Sequence, residues 1–200
     1  MNRVKVCLTV LIPVLIVLFS GCSKKKDSAP PATATTTTSS SPYYFRFTLN
    51  NKTDTINGDN SKSYTQNTNA ILGIISSNKY TLTPAITLRF SLPVNADTVK
   101  ESDVLGLAGK TLYFSDTFMR PEIDYQETSS SDTWYSQVVA DPSYNVKVAS
   151  IVFSDTANYQ GNPVRTYVIT GTCRAKVHQY VDKDTSLTGS FKMVLSRVTY

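Results

Sequence analysis

The stretch Ile86-Thr87-Leu88-Arg89-Phe90-Ser91-Leu92 places an apolar residue at every second position and a polar one between. A period of two puts alternate side chains on opposite faces of an extended chain, so this segment is a strand with one face buried and one face wet. The same alternation appears upstream, where Phe45, Phe47 and Leu49 interleave with Arg46, Thr48 and Asn50. Downstream it recurs at Leu112 and Phe114, from Trp134 to Val139, from Asn145 to Phe153, from Val164 to His178, and from Leu187 to Val198. Asn50-Asn51, Asn57-Gly58, Asp141-Pro142, Gly161-Asn162-Pro163 and the polar run Asp182 to Ser186 supply turn chemistry between them.

Many short strands joined by polar turns, without repeated strand-helix alternation, predict an all-β class: a single antiparallel domain, either a sandwich or a closed barrel. At most one short helix fits. It lies between Val99 and Leu107, with Thr98 and Glu101 at capping-box spacing and Gly109 as its terminator. The β domain spans 43–200, and about 150 residues suffice to bury roughly 68 to 70% of the unfolded surface without a disulfide.

The amino terminus is of a different kind. Arg3 and Lys5 precede an apolar run from Leu8 to Phe19, broken only by Thr9 and Pro13, and then Ser20, Gly21 and Cys22. Twelve residues suit the apolar core of a secretory signal and fall short of the roughly 18 needed to span a bilayer. Residues 1–21 are therefore expected to be cleaved. An Ala32-Thr33-Ala34 site lies too far beyond the apolar core to compete. Residues 22–42, with Lys24, Lys25 and Lys26 followed by Ser, Thr, Ala and Pro, have no apolar period and read as a tether. The three lysines suit either contact with anionic head groups or plain solvation.

Leu18-Phe19-Ser20-Gly21-Cys22 resembles the lipobox of bacterial lipoproteins, with Phe19 where Leu is commonest. The resemblance implies thioether lipidation of Cys22, and full acylation would hold where a single chain binds only marginally. The Cys-Ser-Lys-Lys opening and Thr/Ser-rich tether are similar to envelope lipoproteins of the Bacteroidota type. That likeness implies a Gram-negative cell envelope and, with Ser23 after the Cys, the outer membrane, with the face left open. The Asp27-Ser28-Ala29 triplet resembles the short O-glycosylation pattern of such proteins, which marks Ser28. Small uncharacterised lipoproteins of this type are also similar in element order, with Gly109 to Leu112, Thr170-Gly171-Thr172 and Thr188 to Phe191 as shared short motifs.

Charge and cysteine usage exclude several classes. There are 20 Lys+Arg against 15 Asp+Glu, a formal charge of +5. Removing the signal and tether leaves 15 basic and 14 acidic side chains, so the folded part is nearly neutral overall and a nucleic-acid partner is not expected. Cys173 shares a strand face with Tyr167, Ile169, Ala175 and Val177 and reads as core. His178 falls on the other face with Arg174 and Lys176, which separates it from Cys173 and reads as a solvated histidine. With no second His, no Cys pair, no phosphate-cradling glycine loop and no Gly-x-Ser-x-Gly elbow, neither a cofactor nor a zinc site is expected.

What remains is the acidic and aromatic stretch Glu122, Asp124, Glu127, Asp132, Trp134 and Tyr135. It reads first as a solvated loop before a strand. Its carboxylates are also the residue types that ligate Ca2+ or act as an acid/base pair on a glycan, and its aromatics can stack on a sugar ring. The expected function is a membrane-anchored, non-catalytic binding or structural domain with a glycan or an envelope protein as partner. The rival is a glycan-active hydrolase using Glu122 or Asp124.

Overall fold

The computed structural model describes residues 42–58, 70–77, 83–93, 98–128, 132–159, 161–179 and 183–198. Ten strands and one helix follow in chain order: β1 (Tyr44–Leu49), β2 (Lys52–Asn57), β3 (Ala70–Ser76), β4 (Ala85–Ser91), α1 (Glu101–Leu105), β5 (Thr111–Tyr113), β6 (Arg120–Gln126), β7 (Thr133–Ser136), β8 (Asn145–Tyr159), β9 (Asn162–Gln179) and β10 (Lys183–Val198). All pairings are antiparallel, in the order β2-β1-β10-β3-β4-β6-β7-β9-β8-β5, with β10 also paired to β9. That extra pairing closes β10, β3, β4, β6, β7 and β9 into a ring. The alternative of sandwich or barrel is thus settled toward barrel-like closure, with β1–β2 and β8–β5 as wings.

The ring closes because the β9–β10 hairpin is long enough to be shared. β10 pairs with β1 over Leu187 to Lys192 and with β3 at Ser196. β9 pairs with β8 over Asn162 to Arg174 and with β7 over Val177 to Gln179. Each long strand therefore pairs with a wing strand over one part of its length and with a ring strand over another.

Alternation decides which side chains enter the core. Ile86, Leu88 and Phe90 of β4 are fully buried while Thr87, Arg89 and Ser91 are partly exposed. Phe45 stacks on Phe191 at 5.6 Å, and Phe47 meets Tyr125 of β6 at 4.7 Å, which joins the wing strand β1 to the far side of the ring through aromatic contact. Gly171 is required where Phe191 crosses β9: a Cβ there would lie 2.3 Å from the Lys147 carbonyl oxygen and 2.7 Å from the Phe191 ring. Asn50 and Asn51 turn the β1–β2 hairpin at φ 51° and 62°, a conformation that Asn tolerates better than most residues.

Two expectations are corrected, and one strand was not anticipated. The segment 120–126 is not a solvated loop but a strand inside the ring, with Pro121, Ile123 and Tyr125 buried and Arg120, Glu122, Asp124 and Gln126 facing out. β3, Ala-Ile-Leu-Gly-Ile-Ile-Ser, lacks alternation because nearly all of it is buried on both faces, which hides it from a period-two reading. The helix is only five residues long and starts later, with Asp103 accepting the Lys100 amide at 2.8 Å in place of a Thr98–Glu101 box. Gly109 does not end it. Gly106 follows the helix directly, and Gly109, at φ 74°, donates its amide to Val148 O and carries the chain toward β8.

Around α1, Val99, Val104 and Leu107 join the common core. Arg165 and Arg197, cross-strand neighbours on β9 and β10, hold the segment from the other side: Arg165 ion-pairs with Glu101, and Arg197 Nε donates to Val99 O.

Candidate functional site

β6 and β7 run together only from Gln126–Thr133 to Asp124–Tyr135. Beyond that pair they part. The Ile123 amide then donates to the side chain of Ser136 at 2.8 Å instead of to a strand carbonyl. Pro121, two residues earlier, would aim its amide the same way, and being a proline it has no backbone N–H to leave unpaired in the gap. The gap is a shallow open groove of about 300 Å3, lined among others by Phe114, Glu122, Asp124, Tyr135 and Val138.

Glu122 sits at the centre of a charged cluster. Its Oε1 lies 2.7 Å from Arg120 Nη2 and 3.4 Å from the Ser91 hydroxyl, and its Oε2 lies 3.4 Å from Arg89 Nη1. Both carboxylate oxygens are thereby occupied. Asp124, the next outward residue of β6, is held differently. Burial raises its pKa from 3.8 to about 6, against the lowering pull of Arg89 and with a smaller upward push from Glu122.

The strand register extends this row across the sheet. Asp124 is opposite Tyr135, Tyr135 is opposite His178, and His178 is opposite Asp184. His178 Nδ1 lies 2.9 Å from Asp184 Oδ1, and Lys176 Nζ lies 2.8 Å from Asp184 Oδ2. The hydrogen bonds from Lys176 and His178 hold the Asp184 carboxyl below its usual range and, reciprocally, Asp184 raises Lys176. Sequence reasoning placed His178 on the polar face but missed this row. Only its alternation with Arg174 and Lys176 was visible, and strand pairing cannot be read from one strand.

The six residues singled out in the sequence do not converge. Glu122, Asp124 and Tyr135 share the groove. Trp134 does not: it is 5% exposed, opposite Tyr125, and belongs to the core. Glu127 is exposed beyond the end of β6, and Asp132 accepts from the Thr128 hydroxyl. Among the described residues no three His, Cys, Asp or Glu side chains stand close enough to hold a metal ion, and two arginines already occupy the Glu122 carboxylate that Ca2+ would need. Cys173 is buried, its thiol pushed up to about 12 by burial, and it faces the core while His178 faces outward. Cys22 and Ser28 lie outside the described residues.

Fold and groove together define an all-β domain closed as an antiparallel ring with an open charged groove on its outer surface. No protein-family model, no curated protein and no solved structure matches the chain.

Proposed function

We propose that the chain is a lipoprotein of the bacterial envelope, anchored in the outer membrane through Cys22, whose β domain binds a ligand and does not catalyse. The observation that carries the second half is the double engagement of Glu122 by Arg89 and Arg120. An acid/base pair on a glycan needs two carboxyls, one of them free to shuttle a proton or attack carbon. Here Glu122 is committed to two guanidinium groups in an open groove, which leaves Asp124 without a working partner. The anchoring half rests on the resemblance of Leu18 to Cys22 to a lipobox and on the Ser/Thr/Pro-rich tether.

The hydrolase reading retains one favourable observation, since a carboxyl titrating near 6 is what a general acid requires. One pair of variants separates the two readings. Glu122→Gln and Asp124→Asn should leave ligand retention and folding in place with no product formed by either parent or variant. Turnover of a glycan by the parent that disappears in Asp124→Asn establishes the enzyme instead.

A further inference from the structure

The wing β2-β1, the hairpin β10-β9 and the start of β8 present one outer surface, and the register aligns its side chains in rows. One row reads Thr55, Arg46, Ser190, Thr172, Lys147, and the next reads Thr53, Thr48, Thr188, Arg174, Asn145. Lys192 lies opposite Tyr44 one row further, and Lys176 lies two residues beyond Arg174 on β9. Five cations therefore stand on this surface: Arg46, Lys147, Arg174, Lys176 and Lys192. Within these rows and their continuation to Lys176, His178 and Lys192 the only carboxylate is Asp184, and it is taken by Lys176 and His178; Asp124 lies further along the His178 row on β6, and Asp155 lies opposite Thr166 further along β8. Asp141, in the turn before β8, lies at the margin beside Arg174, its carboxylate accepting the Ser143 amide. Arg46, Lys147, Arg174 and Lys192 have no ion-pair partner among the described residues. The domain's near-neutral sum thus conceals a sorted surface.

The remaining side chains say what sort of anion fits. Between the cations stand hydroxyls: Thr48 and Thr53 are within 2.9 Å of each other, and Thr55, Thr172, Thr188 and Ser190 continue the array. The array borders a depression of about 580 Å3 lined by Asn50, Asn51, Arg174, Ser186 and Thr188. The Arg174 guanidinium is stacked on the Tyr144 ring at 5.2 Å, which fixes its plane. Of the large apolar side chains in these rows Tyr44 is 36% exposed and the Tyr144 ring is covered on one side by the Arg174 guanidinium, so the surface is polar and charged in the main and poorly suited to insertion among acyl chains. Arg46 and Lys147 are three strand spacings apart, roughly 14 Å, so an extended polymer is needed to reach both.

We infer that this face binds an acidic polysaccharide, its carboxylates or sulfates meeting Arg46, Lys147, Arg174 and Lys192 and its hydroxyls meeting the threonine rows. This names the ligand class for the binding role proposed above, at a surface separate from the Glu122 groove.

The test uses the full chain in a neutral detergent, titrated with polygalacturonate and dextran sulfate, with neutral dextran, duplex DNA and phosphatidylglycerol vesicles as competitors. Acyl labelling of Cys22 is read on the same preparation, so loss of the anchor and loss of polysaccharide binding register separately. At least one acidic polysaccharide should bind and neutral dextran should not, and Arg46→Gln, Lys147→Gln and Arg174→Gln together should weaken binding by about tenfold or more, while Lys100→Ala changes it by less than about twofold. If the triple variant does not fold, Arg46→Gln and Lys147→Gln singly should each weaken binding by about two- to threefold. Binding undiminished in these variants, equal binding of neutral dextran, no binding of any acidic polysaccharide, or tighter binding of DNA or vesicles would each overturn the inference.

Discussion

Arg120 and Glu122, two residues apart on β6, face the same way and meet at 2.7 Å between Nη2 and Oε1. The strand period produces this contact, because i and i+2 share a face. Both side chains keep partial contact with solvent, 40% and 24% exposed, so the pair is a modest contributor. Glu122→Gln is expected to lower stability by about 1 kcal/mol or less, since it removes the charge and keeps the shape. Urea unfolding checks this; a loss several times larger would mean that Glu122 holds the groove together.

Asp124 gives the domain a pH dependence of opposite sign to an ion-paired carboxylate. Its folded pKa of about 6 lies above the ordinary aspartate value of 3.8, so the folded state holds the proton more tightly and stability from this group falls as pH rises from about 4 through 6. Asp124→Asn should therefore stabilise the domain by about 1 to 2 kcal/mol near pH 8 and by almost nothing near pH 4. Denaturation at the two pH values decides it, and an equal effect at both would refute the burial account.

Tyr167 is fully buried and its hydroxyl has no hydrogen-bond partner among the described residues, while its ring packs edge-on against Phe153 at 6.0 Å. An unsatisfied buried hydroxyl costs about 1 to 3 kcal/mol. Tyr167→Phe keeps the ring and removes the oxygen, so it should be neutral or raise stability by about 1 kcal/mol. A clear loss of Tm would reveal a partner for that hydroxyl.

Gly171 admits the Phe191 ring and the Lys147 carbonyl where no Cβ fits. Gly171→Ala is expected to cost about 1 to 3 kcal/mol through forced backbone and ring shifts. Lys100→Ala, on an exposed side chain before α1, should stay within about 0.5 kcal/mol. The contrast is measured by thermal unfolding of the two variants side by side.

Cys22 and Cys173 should behave as opposites. Cys22→Ala should abolish acyl-label incorporation and partitioning into a detergent phase, and continued labelling would remove the lipoprotein proposal. With Cys7 and Cys22 both replaced by Ala, the buried Cys173 should resist a thiol reagent until the domain is unfolded. Rapid labelling of the folded protein would place Cys173 outside the core.

Alternation made most strands legible, and the inward set Phe45, Phe47, Ile86, Leu88, Phe90, Cys173 and Phe191 follows from it directly. It failed at β3, where burial on both faces erases the period. It also failed at β6, where Pro121 and two acidic residues imitate a loop, although the gap beside β7 gives Pro121 a place where no amide is needed. The candidate site was legible only as composition. Glu122, Asp124 and Tyr135 were visible, but Arg89 arrives from β4 and His178 from β9, and such neighbours are set by register between strands distant in sequence.

By itself the amino-acid sequence determined the all-β class, the face on which each alternating residue sits, and the near-neutral charge of the β domain. These depend on local period and on simple sums. The closure of the ring, the capture of Glu122 by two arginines and the gathering of Arg46, Lys147, Arg174 and Lys192 onto one surface were decided only by the tertiary structure. The physical reason is that strand pairing is non-local: hydrogen bonding between β1, β10, β9 and β8 brings residues far apart in the chain to neighbouring strands, and no single strand encodes its neighbour.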